Sequence, residues 1–452
     1  MSADIRRLFA DISNLGVDDS PDALDALRAD KSGQKSAAPP ALVVSPGTVE
    51  AVQQVMAVAY EHRIPVVPRG GGSGLAGGAI ASAGEVVLDL GSLNQIHEIS
   101  VHDRFARIQA GVINADLNAA AMEHGMWFAP DPASRTWSTI GGNIATNAGG
   151  LLCAKYGVTR ESVLELSVVL SDGRLVKMGH RSVKGVSGLD LCQLLIGSEG
   201  TLGVIVEATV KLLPIDPHPV WTVRGNFPNA QQASRACLAV TSEGHTPAML
   251  ELIDETAYPL IAQFVKAPPP QENECLVLCQ TNGPASEVEA ESIGELFSSH
   301  GGTVTRVPDG EEAESLLALR RAMHPAMESQ GTVLIEDVAV PRSKMEAMFA
   351  EIRKIEAHYG LRIPCVAHAA DGNLHPNFLF VGEDVPDGVW EAAGELFRAA
   401  LSLGGTLTGE HGVGLLKKKW LAEELGSDQW ELQREVKKVF DPRGILNPGK
   451  VF

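Results

Sequence analysis

The sequence predicts an α+β fold with more than one domain, and three observations support this. The chain has 452 residues, which is more than a single hydrophobic core ordinarily serves. Strand-like and helical patterns alternate from residue 41 to Pro214, as they do in layered domains of helices and strands. Prolines at 214, 217 and 219 then mark a boundary, after which a second set of strands and helices begins.

The first region opens with a strand–helix–strand pattern. ALVVSP (41–46) is apolar enough for a buried strand, and residues 48–63 show helical spacing with Thr48 as the N-cap. The same periodicities predict the other elements of this region, which are strands at 64–68, 85–90, 106–112 and 202–214, a helix at 114–124, and two strands within 163–178.

The second region reads as a separate α+β domain. Its predicted strands are WTVRGNF, MLELID, CLVLCQ and TVTRV, and its predicted helices lie near 229–243, 285–299, 311–328, 344–358 and 387–403. The chain ends in DPRGILNPGKVF, which is too rich in proline and glycine to form a helix interior.

Charge and composition exclude several classes of protein. The net charge is −19, whereas a nucleic-acid-binding protein needs basic surface to meet phosphates. No apolar run reaches the roughly 18 residues of a membrane-spanning helix, and the N-terminus does not resemble a signal peptide. The six cysteines are scattered without a CxxC motif, so we expect reduced thiols in a cytoplasmic protein without an iron–sulfur cluster.

Three glycine-rich loops indicate a nucleotide cofactor. They are PRGGGSGLAGG (68–78), STIGGNIATNAGG (138–150) and GSEGTLGV (197–204), and glycine lets backbone amides approach a phosphate closely. Residues 72–77 match GxGxxG, but the next strand starts near Glu85. Because this leaves no room for the helix that the dinucleotide fingerprint requires, we expect phosphate binding outside a Rossmann arrangement.

A second group of polar residues lies in HAADGNLHPN and TGEHGVG. His368 and His375 flank the turn signal DGN, which favours a strand–turn–strand, and Glu410 lies in a loop flanked by glycines. Two imidazoles and a carboxylate suit Zn²⁺, with Mn²⁺ as the alternative, and three protein ligands leave positions open for a substrate. By themselves the residues are equally consistent with structural histidines.

The segment ALRRAMHPA (318–326) offers anchors for a carboxylate. A planar guanidinium binds a carboxylate through two parallel hydrogen bonds, and both Arg320 and Arg321 lie on one predicted helix. His324 is four residues after Arg320, which predicts the same helix face. His411, beside Glu410, has the pKa range of a general base, although it is also suited to be a fourth metal ligand.

Taken together, these motifs resemble the FAD-linked oxidases of the vanillyl-alcohol-oxidase type, and within them the flavin-dependent D-2-hydroxyacid dehydrogenases. The resemblance rests on PRGGGSGLAGG, PDPAS with TIGGNIATNAGG, KYG (155–157), GSEGTLGV and DPRGILNPGK, and it extends from about residue 40 to the end. It implies an N-terminal helical segment (1–37), a PCMH-type FAD-binding domain of two subdomains (38–215), a substrate or cap domain with an antiparallel sheet (216–412), and a C-terminal segment that returns to the FAD domain (413–452).

The resemblance also implies which residues contact FAD. The first glycine-rich loop (68–78) carries no histidine, so we expect the cofactor to be bound non-covalently. The implied residues are Arg69, Gly70, Gly71, Gly72, Ser73, Gly74, Leu75, Pro130, Asp131, Pro132, Ser134, Thr139, Gly141, Gly142, Asn143, Ala145, Gly149, Gly150, Glu199, Gly200, Gly203, Val204, Ile205 and Asn447.

The family pattern assigns roles to the polar residues. It implies metal ligation by His368, His375 and Glu410, a catalytic base at His411, and a substrate carboxylate on Arg320. Asn377 matches another pocket residue of the family, and His324 stands where relatives that oxidise D-2-hydroxyglutarate carry a hydroxyl residue. Their second cationic residue is missing, since TVLIEDVAVP offers Ile335 and Glu336.

These features predict an enzyme that oxidises a D-2-hydroxy acid. D-lactate is the favoured substrate, because one carboxylate anchor suits a monocarboxylate. D-2-hydroxyglutarate dehydrogenase, the flavin subunit of a glycolate oxidase, and a non-catalytic flavin-binding subunit of a larger complex are the alternatives. We expect electrons to pass to a protein, a quinone or oxygen, and a homodimer is the common state of soluble enzymes.

Overall fold

The computed structural model describes residues 2–452 and divides into two compact units. The first unit runs to Gly150 and also includes Gly157–Ile215 and Glu410–Phe452. The second consists of Leu151–Tyr156 and Asp216–Gly409. The chain therefore changes unit at 150/151, 156/157, 215/216 and 409/410, whereas the predicted limits are 215/216 and 412/413. Met1, the first residue of the predicted N-terminal segment, lies outside the described residues.

The strands are numbered in the order in which they follow one another along the chain. They are β1 (Leu15–Asp18), β2 (Leu42–Pro46), β3 (Val66–Arg69), β4 (Val86–Asp89), β5 (Ile96–Ser100), β6 (Phe105–Gln109), β7 (Met126–Trp127), β8 (Val163–Val169), β9 (Leu175–Gly179), β10 (Val204–Lys211), β11 (Leu213–Pro214), β12 (Trp221–Phe227), β13 (Met249–Ile253), β14 (Cys275–Thr281), β15 (Thr303–Pro308), β16 (Thr332–Ile335), β17 (Val338–Ala339), β18 (Cys365–His368) and β19 (Asn373–Phe380).

The helices are numbered in the same way. They are α1 (Ser2–Leu8), α2 (Pro21–Ala26), α3 (Val49–His62), α4 (Asn114–Met122), α5 (Ile140–Thr146), α6 (Cys153–Tyr156), α7 (Thr159–Ser162), α8 (Leu191–Leu195), α9 (Ala230–Ser242), α10 (Ala257–Phe264), α11 (Ser286–Ser299), α12 (Glu311–Arg321), α13 (Met323–Glu328), α14 (Met345–Tyr359), α15 (Asp387–Ser402) and α16 (Lys418–Phe440). A 3₁₀ turn at Arg342–Lys344 precedes α14.

The first unit contains two main sheets. One has the order β1-β2-β4-β3, and β4 runs parallel to both β2 and β3. The other, β5-β6-β10-β8-β9, is antiparallel. Thr48 caps helix α3, because its hydroxyl accepts a hydrogen bond from the Ala51 amide at 3.1 Å, as the sequence predicts for an N-cap.

The connection between β3 and β4 bears on the cofactor. The described residues between these two strands form no helix, although a Rossmann phosphate loop opens directly into one. The GxGxxG match at 72–77 is therefore not a Rossmann fingerprint, as the spacing in the sequence predicts.

The second unit is built on one large antiparallel sheet. Its order is β15-β12-β14-β13-β18-β19-β16, and β17 pairs with β19. Helices α10, α12 and α13 contribute to a hydrophobic cluster that also contains Leu276 and Leu278 of β14. The predicted α+β class, with an antiparallel sheet in the second domain, is confirmed.

The predicted helix at 311–328 is wrong in one respect, because the structure has two helices there. Helix α12 ends at Arg321 and α13 begins at Met323. The physical reason is Pro325, which lacks an N–H and whose ring opposes the carbonyl four residues earlier, that of Arg321.

The C-terminal tail belongs to the first unit, where it extends the edge at β3. The Val66 amide donates to the Ile445 carbonyl and the Asn447 amide donates to the Val66 carbonyl, each at 2.8 Å. The six cysteines form no disulfide within the described part of the chain. No helix within the described part of the chain is both long enough and apolar enough to cross a membrane.

A buried carboxylate, Asp254, ties the start of α10 to β18. It accepts hydrogen bonds from the amides of Ala257 at 2.7 Å and Cys365 at 3.0 Å, and from the guanidinium of Arg353 at 3.0 Å. We expect Asp254→Asn to lower the free energy of unfolding by about 1–3 kcal/mol, because two buried amides and Arg353 lose a charged acceptor, while Arg353 keeps its ion pair with Glu356. A calorimetric melt checks this. Glu312→Gln, at an exposed position of α12, should change the free energy by less than about 0.5 kcal/mol, and equal effects of the two changes would contradict the assignment.

Candidate functional site

The first glycine loop borders a cleft in the first unit. The cleft has a volume of about 270 Å³, and its lining includes Gly70, Gly71, Gly111 and Thr139. A Cβ added at Gly70 would strike the Thr139 hydroxyl, and one added at Gly71 would strike the Trp137 carbonyl. Backbone alone therefore fits here, so the wall of the cleft is rich in main-chain groups that suit a phosphate.

The second glycine loop supplies unpaired polar atoms. Thr139 caps α5 by accepting a hydrogen bond from the Gly142 amide at 3.2 Å. Asn143 Nδ2 and Ser138 Oγ are buried, and neither has a hydrogen-bond partner among the described residues. Buried polar groups are rarely left without partners, so these atoms fit a polar ligand such as FAD.

Arg69 and Asn447 bond to backbone in this structure. The Arg69 guanidinium donates to the carbonyls of Ala79 at 2.7 Å and Ala29 at 3.0 Å. The Asn447 side chain donates to the carbonyls of Gly78 at 3.0 Å and Glu199 at 2.7 Å. Both residues thus hold the shape of the glycine loops, which is a role that the sequence does not reveal.

The other predicted FAD residues also belong to the first unit. Ser73, Gly74 and Leu75 continue the first loop, and Pro130, Asp131, Pro132 and Ser134 precede α5. Gly141, Gly142 and Ala145 lie in α5, Gly149 and Gly150 follow it, Gly200 and Gly203 precede β10, and Val204 and Ile205 open β10.

Glu199, which is predicted as a cofactor contact, bonds to the backbone of the last segment in this structure. Its buried carboxylate accepts hydrogen bonds from the amides of Val413 at 2.7 Å and Gly414 at 2.9 Å. Burial raises the pKa of Glu199 to about 7, against the opposing effect of these two amides and of Lys417. The carboxylate therefore anchors the segment that follows Glu410 and His411.

Glu410 and His411 open the last segment of the first unit. His411 Nε2 lies 3.9 Å from a Glu410 carboxylate oxygen. A Cβ added at Gly149 would strike the Glu410 carboxylate, so the predicted flavin loop and this glutamate are direct neighbours. The amides of Leu415 and Leu416 both donate to the Ala76 carbonyl, at 2.9 and 3.1 Å, which ties the segment to the first glycine loop.

The two predicted metal-binding histidines lie on neighbouring strands of the second unit. In the pairing of β18 with β19, Val366 is opposite His375 and His368 is opposite Asn373. Because side chains alternate along a strand, His368 and His375 project from the same face. Their ring centroids are 5.0 Å apart and both residues are buried, which is an arrangement that two ligands of one cation require.

Glu251 joins the predicted metal and substrate residues. It lies opposite His368 in the pairing of β13 with β18. One carboxylate oxygen accepts from His368 Nδ1 and the other from Arg320 Nε, each at 2.6 Å. Burial disfavours ionisation, but the charges and hydrogen bonds of His368 and Arg320 outweigh it and hold the pKa of Glu251 below its usual range.

Glu251 is not among the residues predicted from the sequence. A charged residue in the apolar strand MLELI, all of whose residues are buried, is the signal that could have identified it.

The expectation that His324 shares the face of Arg320 is wrong. The Arg320 side chain is 14% exposed, whereas the His324 side chain is 56% exposed and pairs with Glu328. The break between α12 and α13 explains the difference, because the four-residue rule applies only within one continuous helix. Asn377, in contrast, is buried on β19 two residues after His375, and its amide donates to the His375 carbonyl at 2.7 Å.

Asp337 is a second buried acid that was not predicted from the sequence. It accepts hydrogen bonds from the side chains of Asn373 at 2.6 Å and Thr408 at 2.8 Å, and from the Gly409 amide at 2.8 Å. It thereby fixes the end of the second unit, immediately before Glu410 in the chain. Its position in the apolar run TVLIEDVAV is again the only signal in the sequence.

Comparison with known families identifies both parts of the chain. Residues 217–451 match the family described as FAD linked oxidases, C-terminal domain, and residues 40–179 match the FAD binding domain. The predicted resemblance is thereby confirmed over most of the sequence.

Individual relatives extend over nearly the whole chain. The glycolate oxidase subunit GlcD of Bacillus subtilis is 37% identical over 91% of this chain and 89% of its own length. The D-lactate dehydrogenase of Archaeoglobus fulgidus is 36% identical, with 91% of each chain covered. GlcD of Escherichia coli is 34% identical over 91% of this chain and 83% of its own.

Solved structures share the fold at lower identity. p-Cresol methylhydroxylase superposes with a TM-score of 0.79 at 18% identity, covering 100% of this chain and 96% of its own. Alkyldihydroxyacetonephosphate synthase gives a TM-score of 0.76 at 20% identity, covering 98% and 85%. The predicted PCMH-type fold is therefore confirmed.

The raised pKa of Glu199 predicts a dependence of stability on pH. Between its ordinary value of 4.5 and about 7, the folded protein keeps a proton that the unfolded chain has lost, so this residue lowers stability as pH rises through that window. Glu199→Gln removes the effect. We expect the variant to gain about 3 kcal/mol relative to the parent between pH 4.5 and 8.

Melting temperatures of the two proteins across that range provide the measurement. Asp254, whose pKa burial also raises to about 7, contributes equally to both proteins and cancels in the difference. Glu123→Gln, at an exposed site of the same unit, serves as the control. A parent–variant difference that stays constant with pH would contradict the role of Glu199.

Proposed function

Because the chain belongs to the FAD-linked oxidases, we propose that it oxidises a D-2-hydroxy acid, D-lactate in the first place, to the corresponding 2-oxo acid. The relatives support this choice of substrate class. They are named as glycolate oxidase subunits and D-lactate dehydrogenases, and glycolate and lactate are both small 2-hydroxy monocarboxylates.

One observation within the second unit carries the proposal. His368 and His375 project from one face of the sheet, and a single carboxylate connects His368 to Arg320. A cation held by the histidines and a guanidinium beside them match the two polar groups of a 2-hydroxy acid, which are its hydroxyl and its carboxylate.

FAD is held non-covalently in this proposal. The backbone of residues 69–75, the amides of the α5 loop and the buried Asn143 bind it, and no histidine lies in the first loop. FAD, when bound, accepts the hydride that leaves C2 of the substrate. The protein positions FAD and the substrate and supplies the charges around them. Its glycine-lined walls let backbone groups approach FAD closely.

The proposed metal ligands are His368, His375 and Glu410, and Zn²⁺ is the proposed ion, with Mn²⁺ as the alternative. A divalent cation at these residues, when bound, makes the substrate hydroxyl more acidic. The bond from the Gly409 amide to Asp337 orders the residue that precedes Glu410 in the chain.

His411 and Arg320 complete the reaction in this proposal. His411 takes the proton of the hydroxyl, which suits a base with a pKa near neutrality. The Arg320 side chain donates only through Nε within the described residues, so its terminal nitrogens remain to bind the substrate carboxylate as a fork.

The surroundings of β19 support a monocarboxylate. Ile335 pairs with Asn377, and the Glu336 amide donates to the Pro376 carbonyl at 2.9 Å. Neither Ile335 nor Glu336 supplies the second cation that a dicarboxylate would need as an anchor. D-2-Hydroxyglutarate should therefore be a poorer substrate than D-lactate.

Anaerobic titration of the FAD-loaded protein tests the proposal. We expect D-lactate to bleach the flavin absorbance faster than glycolate, L-lactate or D-2-hydroxyglutarate. Pretreatment with EDTA should abolish the bleaching, and Zn²⁺ or Mn²⁺ should restore it. Bleaching that is insensitive to EDTA would remove the metal from the proposal, and no bleaching by any of the acids would overturn the substrate class.

The base is tested by single-turnover flavin reduction. His411→Ala should slow reduction by about 10²–10⁴-fold, because the hydroxyl proton loses its acceptor. His124→Ala, at an exposed position of the first unit, should leave the rate unchanged. Equal rates for His411→Ala and the parent protein would contradict the assignment.

The word subunit in the names of two relatives favours a second possibility, namely that this chain works within a complex. In that case the isolated chain, loaded with FAD, would show no activity with these acids until its partner is added. Electrons from the proposed reaction go to another protein, a quinone or oxygen. Steady-state turnover with a dye separates an independent enzyme from a subunit.

A further inference from the structure

We propose that Glu251 is a positioning residue that holds the substrate-anchoring Arg320 and the metal-ligating His368 in one fixed relation. The inference rests on the proposed function and deepens it. The carboxylate of Glu251 would set the distance and orientation between two groups. Arg320 binds the carboxylate of the substrate, and His368 binds the cation that lies next to the substrate hydroxyl.

The position of Glu251 allows it to act on both residues together. It lies in the middle of β13, where all five residues are buried, and Leu252 and Leu250 beside it belong to the core. Its two oxygens are used separately, one for His368 and one for Arg320. Because the carboxylate is rigid and planar, the two donors that share it cannot move independently.

The bond to His368 selects the form that a metal ligand needs. When Nδ1 donates its hydrogen to a carboxylate, Nε2 carries the lone pair and the plane of the ring is fixed. Carboxylate–histidine pairs of this kind raise the basicity of the ligand nitrogen and strengthen metal binding. Glu251 therefore sets both the tautomer and the direction of His368.

The bond from Arg320 Nε to Glu251 orients the guanidinium and does not use its two terminal nitrogens. Arg353 provides the contrast within the same unit, because its terminal nitrogens donate to Asp254, Thr256 and the Ile363 carbonyl. Arg320 is only 14% exposed, yet Nε is the one donor it uses within the described residues. A half-buried arginine with donors in reserve is typical of a binding role rather than a structural one.

The effect of Glu251 on metal binding is tested by measuring the zinc affinity of Glu251→Gln. The protein competes with a chelator for zinc, so no turnover is needed. We expect zinc affinity to fall by about 10- to 100-fold, the range for the loss of a carboxylate behind a metal-bound histidine. Glu251→Asp, which keeps the charge, should recover part of the affinity.

The effect of Glu251 on Arg320 is tested by pyruvate binding to the metal-free, FAD-loaded protein. A change in the flavin spectrum reports the binding. We expect Glu251→Gln to weaken it by about tenfold or more, because the guanidinium loses the charged partner that orients it. With zinc present, KM for D-lactate should rise for the same reason.

A second variant covers the case in which Glu251→Gln does not fold. Glu251→Gln with Arg320→Met removes both charges of the buried pair, so no unpaired charge remains in the core. This double variant should show the same loss of zinc affinity, since the carboxylate behind His368 is again absent. Asp254→Asn is the matched control, because it alters an equally buried carboxylate bonded to arginine, and it should lower the melting temperature without changing zinc or pyruvate binding.

The outcomes separate this inference from the proposed function. If the parent protein binds neither zinc nor pyruvate, the proposed function fails. If the parent binds both, and Glu251→Gln and the double variant bind zinc as the parent does, the proposed function stands and the positioning role of Glu251 is overturned. Equal losses in Asp254→Asn would also overturn it, because the effect would then be one of general instability.

Discussion

The polar sites of both units depend on carboxylates that are buried in the core and fully engaged in hydrogen bonds. Glu251 and Asp337 have no measurable exposure, and Glu199 is 8% exposed. A buried charge is retained only when donors surround it, because its desolvation otherwise costs several kcal/mol. Each acid therefore fixes the elements that supply its donors, and those elements carry the proposed catalytic residues.

Two of these carboxylates control the segment that contains Glu410 and His411. Asp337 binds Thr408 and Gly409 at the end of the second unit, and Glu199 binds the amides of Val413 and Gly414 in the first. The chain passes from one unit to the other between these bonds. Each carboxylate thereby orders the backbone of its own unit next to Glu410 and His411, and ordered backbone suits groups that must meet a substrate in one geometry.

The sequence predicted the elements that follow local rules and missed the contacts that do not. The strand at 41–46, the helix capped by Thr48, and the turn between His368 and His375 all follow from periodicity and turn chemistry. Helical spacing across 311–328 failed because it took no account of Pro325. The partners of Glu251 are 69 and 117 residues away in the chain, so no local pattern predicts them.

The glycines of TGEHGVG show how one pattern can have two physical causes. In the sequence they indicate a backbone left open for a ligand. In the structure, a Cβ at Gly409 would strike Asn373, and one at Gly412 would lie 3.0 Å from the Glu199 carboxylate, where φ is also +86°. Glycine is required at these two positions because backbone approaches a buried acid or its amide partner. These two glycines therefore make room for Asn373, the partner of Asp337, and for Glu199, and each contact orders the backbone of its own unit.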